Sequence, residues 1–128
     1  PINYPLENRL SIYKQESEII REMAEKSDCI IVGRCANDIL KSRPTSRSIF
    51  IHAPLDYRLQ TVMERTSLEE KEALSLIKKV DKQRKFYYNY YTDKKWEEMS
   101  QYDLCLDSSA MSEDEILNVL TALYESIL

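Results

Sequence analysis

The chain is 128 residues long, 43% hydrophobic and 31% charged, with a formal net charge of −4 at pH 7. This describes one ordinary globular domain, or part of one, with enough chain to bury a core. No apolar run approaches the ~20 residues needed to cross a bilayer, nothing reads as a signal peptide, and the acidic balance offers nucleic acid or anionic membrane no general attraction.

A cytoplasmic protein is therefore expected, and any anion site has to be local. Cys29, Cys35 and Cys105 lack the paired spacing of a zinc site, and their odd number argues against a closed disulfide set, so they read as buried free thiols. The chain holds one glycine and opens on Pro1. Both facts suggest a fragment that has lost a glycine-richer beginning.

Pro1 to Leu6 is a short, proline-punctuated lead-in. From Glu7 to Lys26, Leu10, Tyr13, Ile20 and Ala24 recur at helical spacing, with Ile19 and Met23 alongside. Ser27-Asp28 ends that helix. Cys29-Ile30-Ile31-Val32 then runs without polar alternation into Gly33 and Arg34, the pattern of a parallel strand buried on both faces. Ligands of open α/β sheets sit at the carboxyl ends of such strands, and the planar fork of Arg34 suits a phosphate there.

Cys35 to Lys41 reads as one or two helical turns and Ser42 to Ser48 as a polar loop. Ser48 to Ala53 is a second strand, ended by Pro54, which suits the first turn of a helix carrying Leu55, Leu59, Val62 and Met63. His52, the lone histidine, reads as a structural residue. Ser67-Leu68-Glu69-Glu70 has the form of a capping box opening a helix to about Tyr91, with Ala73, Ile77, Val80, Arg84 and Tyr91 near one face. Tyr102 to Asp107 is a third, short strand. Ser112 to Glu115 is a second capping box, opening a last helix with Ile116, Leu117, Leu120, Leu123, Tyr124 and Ile127 as its apolar stripe. Three strands separated by helices imply a parallel sheet with right-handed crossovers.

Residues 78–96 form the one strongly basic stretch. Lys78, Lys79, Lys82, Arg84, Lys85, Lys94 and Lys95 face only Asp81 and Asp93, and Phe86, Tyr87, Tyr88, Tyr90, Tyr91 and Trp96 interleave with them. Three readings compete. One is a solvated helix face with its rings packed on the body. Another is a nucleic-acid surface, lysines on the backbone and rings stacking bases. The third is a lid closing on a nucleotide's phosphates. Asp81 and Arg84, three apart on a helix, share a face. An acid among cations is a liability on a nucleic-acid backbone but an asset if it accepts from an exocyclic amine such as cytosine N4. The lid reading accommodates both residues.

The order of Cys29-Ile-Ile-Val-Gly-Arg34, Phe50-Ile-His-Ala-Pro54, Tyr87-Tyr-Asn-Tyr-Tyr-Thr92, Lys94-Lys-Trp96 and Tyr102-Asp-Leu-Cys-Leu-Asp-Ser108 resembles the cytidylate kinase-like family of P-loop phosphotransferases. The resemblance covers essentially the whole chain. It implies a three-layer αβα parallel-sheet fold of the P-loop NTPase type, here without its N-terminal strand and P-loop. It also implies transfer of the ATP γ-phosphoryl group, with Mg²⁺ as cofactor, to a nucleoside monophosphate, CMP or dCMP first. Arg34 matches the arginine that meets the substrate phosphate, and Cys35 stands where those enzymes carry a ribose-binding aspartate. Asp81 and Arg84 match the base-reading and phosphate-stabilising pair of the lid, making Arg84 the catalytic candidate. Lys78 or Lys79 replaces an upstream arginine that meets the substrate. Asp107 and Ser108 match the segment lining the adenine side. No residue matches a Mg²⁺ ligand.

The G-x-x-x-x-G-K-[ST] loop that cradles the phosphates is absent from these residues. The residues are thus expected to form one partial domain, 1–128, inactive alone because phosphoryl transfer depends on positioning and electrostatics. A degenerate nucleotide- or partner-binding module is the alternative. A nucleic-acid binder is the third reading and the least favoured by the acidic total charge.

Overall fold

The computed structural model describes residues 6–128, so the lead-in lies almost wholly outside the described residues. Five helices and two strands follow one another: α1 (Leu6–Lys26), α2 (Ala36–Ile39), β1 (Ile49–His52), α3 (Leu55–Thr66), α4 (Glu70–Thr92), β2 (Leu104–Asp107) and α5 (Glu113–Ser126), with a 3-10 turn at Met99–Gln101. This is a mixed α/β arrangement.

The sheet has two strands among the described residues. β1 and β2 run parallel, Ile49 opposite Leu104 and His52 opposite Asp107. A reciprocal clamp starts the pairing: Ser48 N donates to Asp103 Oδ2 at 2.8 Å, and Asp103 N donates to Ser48 O at 2.9 Å. Phe50 carries the rest of the chain onto this sheet. Its ring stacks on Tyr102 at 4.8 Å and meets Trp96 edge-on at 5.7 Å, while Tyr102 Oη donates to Trp96 O at 2.6 Å. Trp96 and Tyr102 therefore work as anchors for the segment leaving α4.

Cys29 to Val32 is not a buried strand. Ile30 is 94% exposed and Val32 87%, and the segment joins no ladder among the described residues. Only Ile31 turns inward, against the small core of Ile20, Ala36 and Leu40. The one-in, two-out alternation is that of a strand, but a strand needs neighbours to take its backbone groups. β1 and β2 pair with each other, and neither takes this segment on its outer edge. The expected three-stranded sheet is accordingly two-stranded here, and Cys29 is exposed rather than buried.

Ser67 also departs from expectation. It closes α3 in the left-handed region, φ 60°, with its N–H donating to Met63 O, and α4 starts after Glu69 with no side-chain cap. The Ser-x-x-Glu spacing is there, but the chain must reverse between α3 and α4, and a left-handed C-cap makes that reversal. The second box forms as read: Glu115 N donates to Ser112 Oγ at 3.1 Å and Ser112 N to Glu115 Oε1 at 2.9 Å. The stripe of α5 is half-covered, with Leu117 and Tyr124 exposed, and Tyr124 Oη donates to Asp28 Oδ2 at 2.6 Å.

These two serines give opposite expectations in urea unfolding. Ser112→Ala lowers stability by about 1 kcal/mol through loss of the cap. Ser67→Gly raises it by roughly 0.5–1 kcal/mol, because glycine adopts the left-handed conformation without a Cβ clash. Destabilisation by Ser67→Gly would contradict its place as a C-cap.

Candidate functional site

Gly33, Arg34 and Cys35 are all left-handed, with φ of 71°, 58° and 58°. Two non-glycine residues in that region each cost roughly 1–2 kcal/mol, and strain of this kind persists only where the surroundings enforce it. Cys35 supplies the enforcement. Its side chain is buried beside Tyr13, and its carbonyl accepts from Asp38 N and Ile39 N, both at 3.0 Å, starting α2. The turn thereby throws Arg34 outward, toward α4.

There Arg34 meets two partners. Its guanidinium lies 5.9 Å from the centroid of the Tyr87 ring, and Nη1 is 3.8 Å from Glu16 Oε1. Tyr87 Oη donates to Glu16 Oε2 at 3.3 Å, closing a triangle between α1, α4 and the turn. The Tyr87 oxygen and then the Glu16 charge raise the guanidinium's pKa further, while burial pushes the Tyr87 phenol up to about 12. The Arg34 side chain stays half exposed, so part of its fork faces solvent.

The other candidates lie farther along α4. Asp81 Oδ1 accepts from Arg58 Nη2 at 2.6 Å, tying the middle of α4 to the first turns of α3. Arg84 follows one turn later, exposed, with no ion pair among the described residues. It nevertheless belongs to the stripe of Ala73, Ile77, Tyr88 and Tyr91, whose other members are buried or half-buried. Tyr88 Oη accepts from Asn37 Nδ2 at 2.9 Å, and the Tyr91 ring stacks on Tyr13 at 4.3 Å. Arg84 thus surfaces between the half of α4 that packs on α3 and the half that packs on α1 and α2. Asp81, Arg84 and Tyr87 are spaced by three, so the acid, the free arginine and the seat of Arg34 fall within about 9 Å along the helix axis.

Lys78 and Lys79 do not join this group. At 100° per residue they are turned about 120° and 140° from Arg84, and both are exposed. Asp107 and Ser108 sit at the carboxyl end of the sheet. Asp107 Oδ1 accepts from Ser109 Oγ at 2.6 Å and Ser109 N at 2.9 Å, which holds this carboxyl's pKa low, and Ser108 N donates to His52 O at 2.9 Å. They form a strand-end turn. A polar groove of about 460 Å³, lined by Lys41, Arg43, Arg47, Lys94, Asp38 and Asp103 among others, lies toward the opposite end of the strands and contains none of the expected site residues.

Glu16, Arg58 and Tyr87 had no site role in the sequence reading. A signal was present for two of them. Arg58 falls on the Leu55, Leu59, Val62 stripe of α3, and Glu16 on the Tyr13, Ser17, Ile20 stripe of α1. Charges on apolar stripes are the informative exceptions.

The model of the cytidylate kinase-like family matches residues 3–110. The chain is 32% identical over 116 residues to a protein named cytidylate kinase from Methanopyrus kandleri, covering 84% of this chain and 60% of that protein. It is 27% identical over 119 residues to another protein of that name from Methanosarcina barkeri, covering 92% and 64% respectively. It also superposes with a TM-score of 0.84 on the crystal structure of an uncharacterized protein from Eubacterium ventriosum, at 37% identity, covering 90% of this chain and 65% of that one. The chain thus spans less than two thirds of the length of each of these relatives.

Two outcomes follow from this geometry. Both members of the Arg58–Asp81 pair are about a third exposed, so a double-mutant cycle should give a coupling of about 0.2–1 kcal/mol. A much larger value would make the pair a structural lock instead of a group a ligand can open. Burial raises the Cys35 thiol from 9.0 to about 11. At pH 8 a thiol reagent should label Cys29 rapidly and Cys35 only on unfolding. Because the folded value is the higher one, the stability that neutral Cys35 contributes is intact below pH 9.0 and lost as pH rises through about 11. Rapid native-state labelling of Cys35 would contradict its burial.

Proposed function

The chain belongs to the cytidylate kinase-like family, and from that premise we propose that it forms the monophosphate-binding and lid part of an enzyme that moves the γ-phosphoryl group of ATP onto CMP or dCMP. The observation that carries this reading is the alignment along α4: Arg34 seated on Tyr87, Arg84 free on an otherwise covered stripe, and Asp81 one turn before it. In the whole protein these elements belong to a three-layer αβα fold.

Each residue has a separate task. The half-exposed fork of Arg34 takes two oxygens of the monophosphate, while Glu16 and Tyr87 hold its other edge. Asp81 accepts from the exocyclic amine of cytosine, exchanging part of its pairing with Arg58 for that contact. Arg84 approaches the phosphoryl group in flight, where charge spreads over its equatorial oxygens and a pre-aimed cation is worth most. Asp107 and Ser108, at the carboxyl end of β2, border the adenine side. Lys78 and Lys79, turned away from Arg84, act on the substrate only through long-range charge.

Among the described residues, no three His, Cys, Asp or Glu side chains gather as a metal site. The family implies Mg²⁺ together with ATP, and none of the residues named above is proposed as its ligand. The phosphate cradle is likewise assigned no residue of this chain. The second reading, a nucleotide-binding module without transferase activity, draws on Cys35: a buried thiol in the position of the family's aspartate offers ribose no carboxylate.

Steady-state kinetics on the complete protein separate the two. Arg84→Ala should lower kcat by about a hundred-fold or more with KM for CMP changed only several-fold, because its contact forms in the transition state. Arg34→Ala should raise KM for CMP about ten-fold or more through loss of a charged hydrogen-bond pair. The 128 residues alone should show no ATP-dependent turnover. Equal losses in kcat and affinity for Arg84→Ala would count against its role, and nucleotide binding without transfer by the complete protein would favour the second reading.

A further inference from the structure

The basic, aromatic stretch of α4 divides between two faces. Asp81, Tyr88 and Tyr91 lie on the side of α4 that meets α1, α2 and α3, with Arg84 on the same side but exposed. Lys79, Lys82, Phe86 and Tyr90, spaced by three, four and four, all lie about 120–160° from Arg84 and form a stripe on the opposite face. Phe86 is 63% exposed and Tyr90 42%, and their rings stack at 6.0 Å, 17° from parallel. Tyr90 meets Tyr91 edge-on at 4.9 Å, and Tyr91 stacks on Tyr13, so the outer pair is braced against α1.

The flanking charge is unneutralised. Lys78, Lys79, Lys82 and Lys85 are all exposed, and none makes an ion pair among the described residues. The acids of α4 are Glu70 and Glu72 in its first turn and Asp81, which lies between Lys79 and Lys82 in sequence but pairs with Arg58, and Asp93 closes the helix in the left-handed region. Phe86 is thus an exposed ring amid lysines, packed on Tyr90 along one side only. Flat rings open to solvent beside a row of free ammonium groups suit a ligand that alternates apolar faces with negative charge.

We propose that this outer stripe of α4 is a binding surface for single-stranded nucleic acid, distinct from the monophosphate site on the inner face. A base stacks on Phe86 and Tyr90 while the backbone phosphates follow Lys79 and Lys82. From Lys79 to Tyr90 the stripe is about 16 Å long, room for a few nucleotides. The net charge of −4 opposes approach from a distance, so affinity rests on these local contacts and falls with salt. The proposal stands apart from the kinase reading: Lys82, Phe86 and Tyr90 have no part in that reading, and Lys79 enters it only through long-range charge.

Fluorescence anisotropy of a short labelled oligouridylate, titrated with the full chain at several salt concentrations, tests it. Saturable binding is expected, weakening steeply with salt. Phe86→Ala should weaken it about five-fold or more through lost stacking. Replacing Lys79 and Lys82 together by alanine should lower the salt slope by about 0.7 for each lysine. Lys26→Ala, on exposed α1, should change nothing. All four positions are solvent-facing, and circular dichroism checks that the variants fold. Absence of saturable binding at low salt overturns the proposal. So does binding that survives both the Phe86 and the double lysine change, binding equally tight for a duplex, or full displacement by CMP. The last result would place the strand on the inner face instead.

Discussion

α4 has to pack against two different bodies along one stripe, and the rest of the structure depends on that constraint. Its first turns lie on α3, its last turns on α1 and α2, and Tyr13, Asn37 and Arg58 reach it from those helices. Ala73, Ile77 and Tyr88 are buried where a body is present. Between the two bodies, Arg84 is exposed and no described residue is seen to cover it. At that junction the chain places Asp81 and Arg84. The junction is therefore also where charge can face a ligand while remaining tied to a packed frame.

The turn at Gly33 is the second half of the same solution. Left-handed backbone at Arg34 and Cys35 is unfavourable in isolation, and burial of Cys35 against the α1 side holds it. The consequence is directional: Arg34 leaves the body and lands on Tyr87, three residues past Arg84. Glu16 then balances part of its charge. Strain in the backbone, a buried thiol and an exposed guanidinium are thus one device for aiming a cation.

The sequence made much of this legible. Helical periodicity located α1, α3, α4 and α5, and Pro54 and Ser112 marked two helix starts because proline and a capping serine act through local geometry alone. Cys29 to Val32 misled because an apolar run reports suitability for burial, while burial needs a covering partner, and none lies over it among the described residues. Ser67 misled because the same serine suits an N-cap or a left-handed C-cap, and the tight reversal between helices decided. The candidate site itself was half visible. Arg84 stood out on the stripe of α4, whereas Arg58 and Glu16 break their stripes in the same way, and only the packing shows that Arg58 meets Asp81 and Glu16 meets Arg34.

The most direct test of this account is a backbone-amide NMR map of the 128-residue chain titrated with CMP. Shifts should cluster at Gly33–Ala36 and across Asp81–Tyr88, with the outer face at Lys79 and Lys82 unmoved. Saturating shifts confined to the polar groove around Lys41 and Asp103, or to that outer face, would contradict the assignment of the monophosphate site.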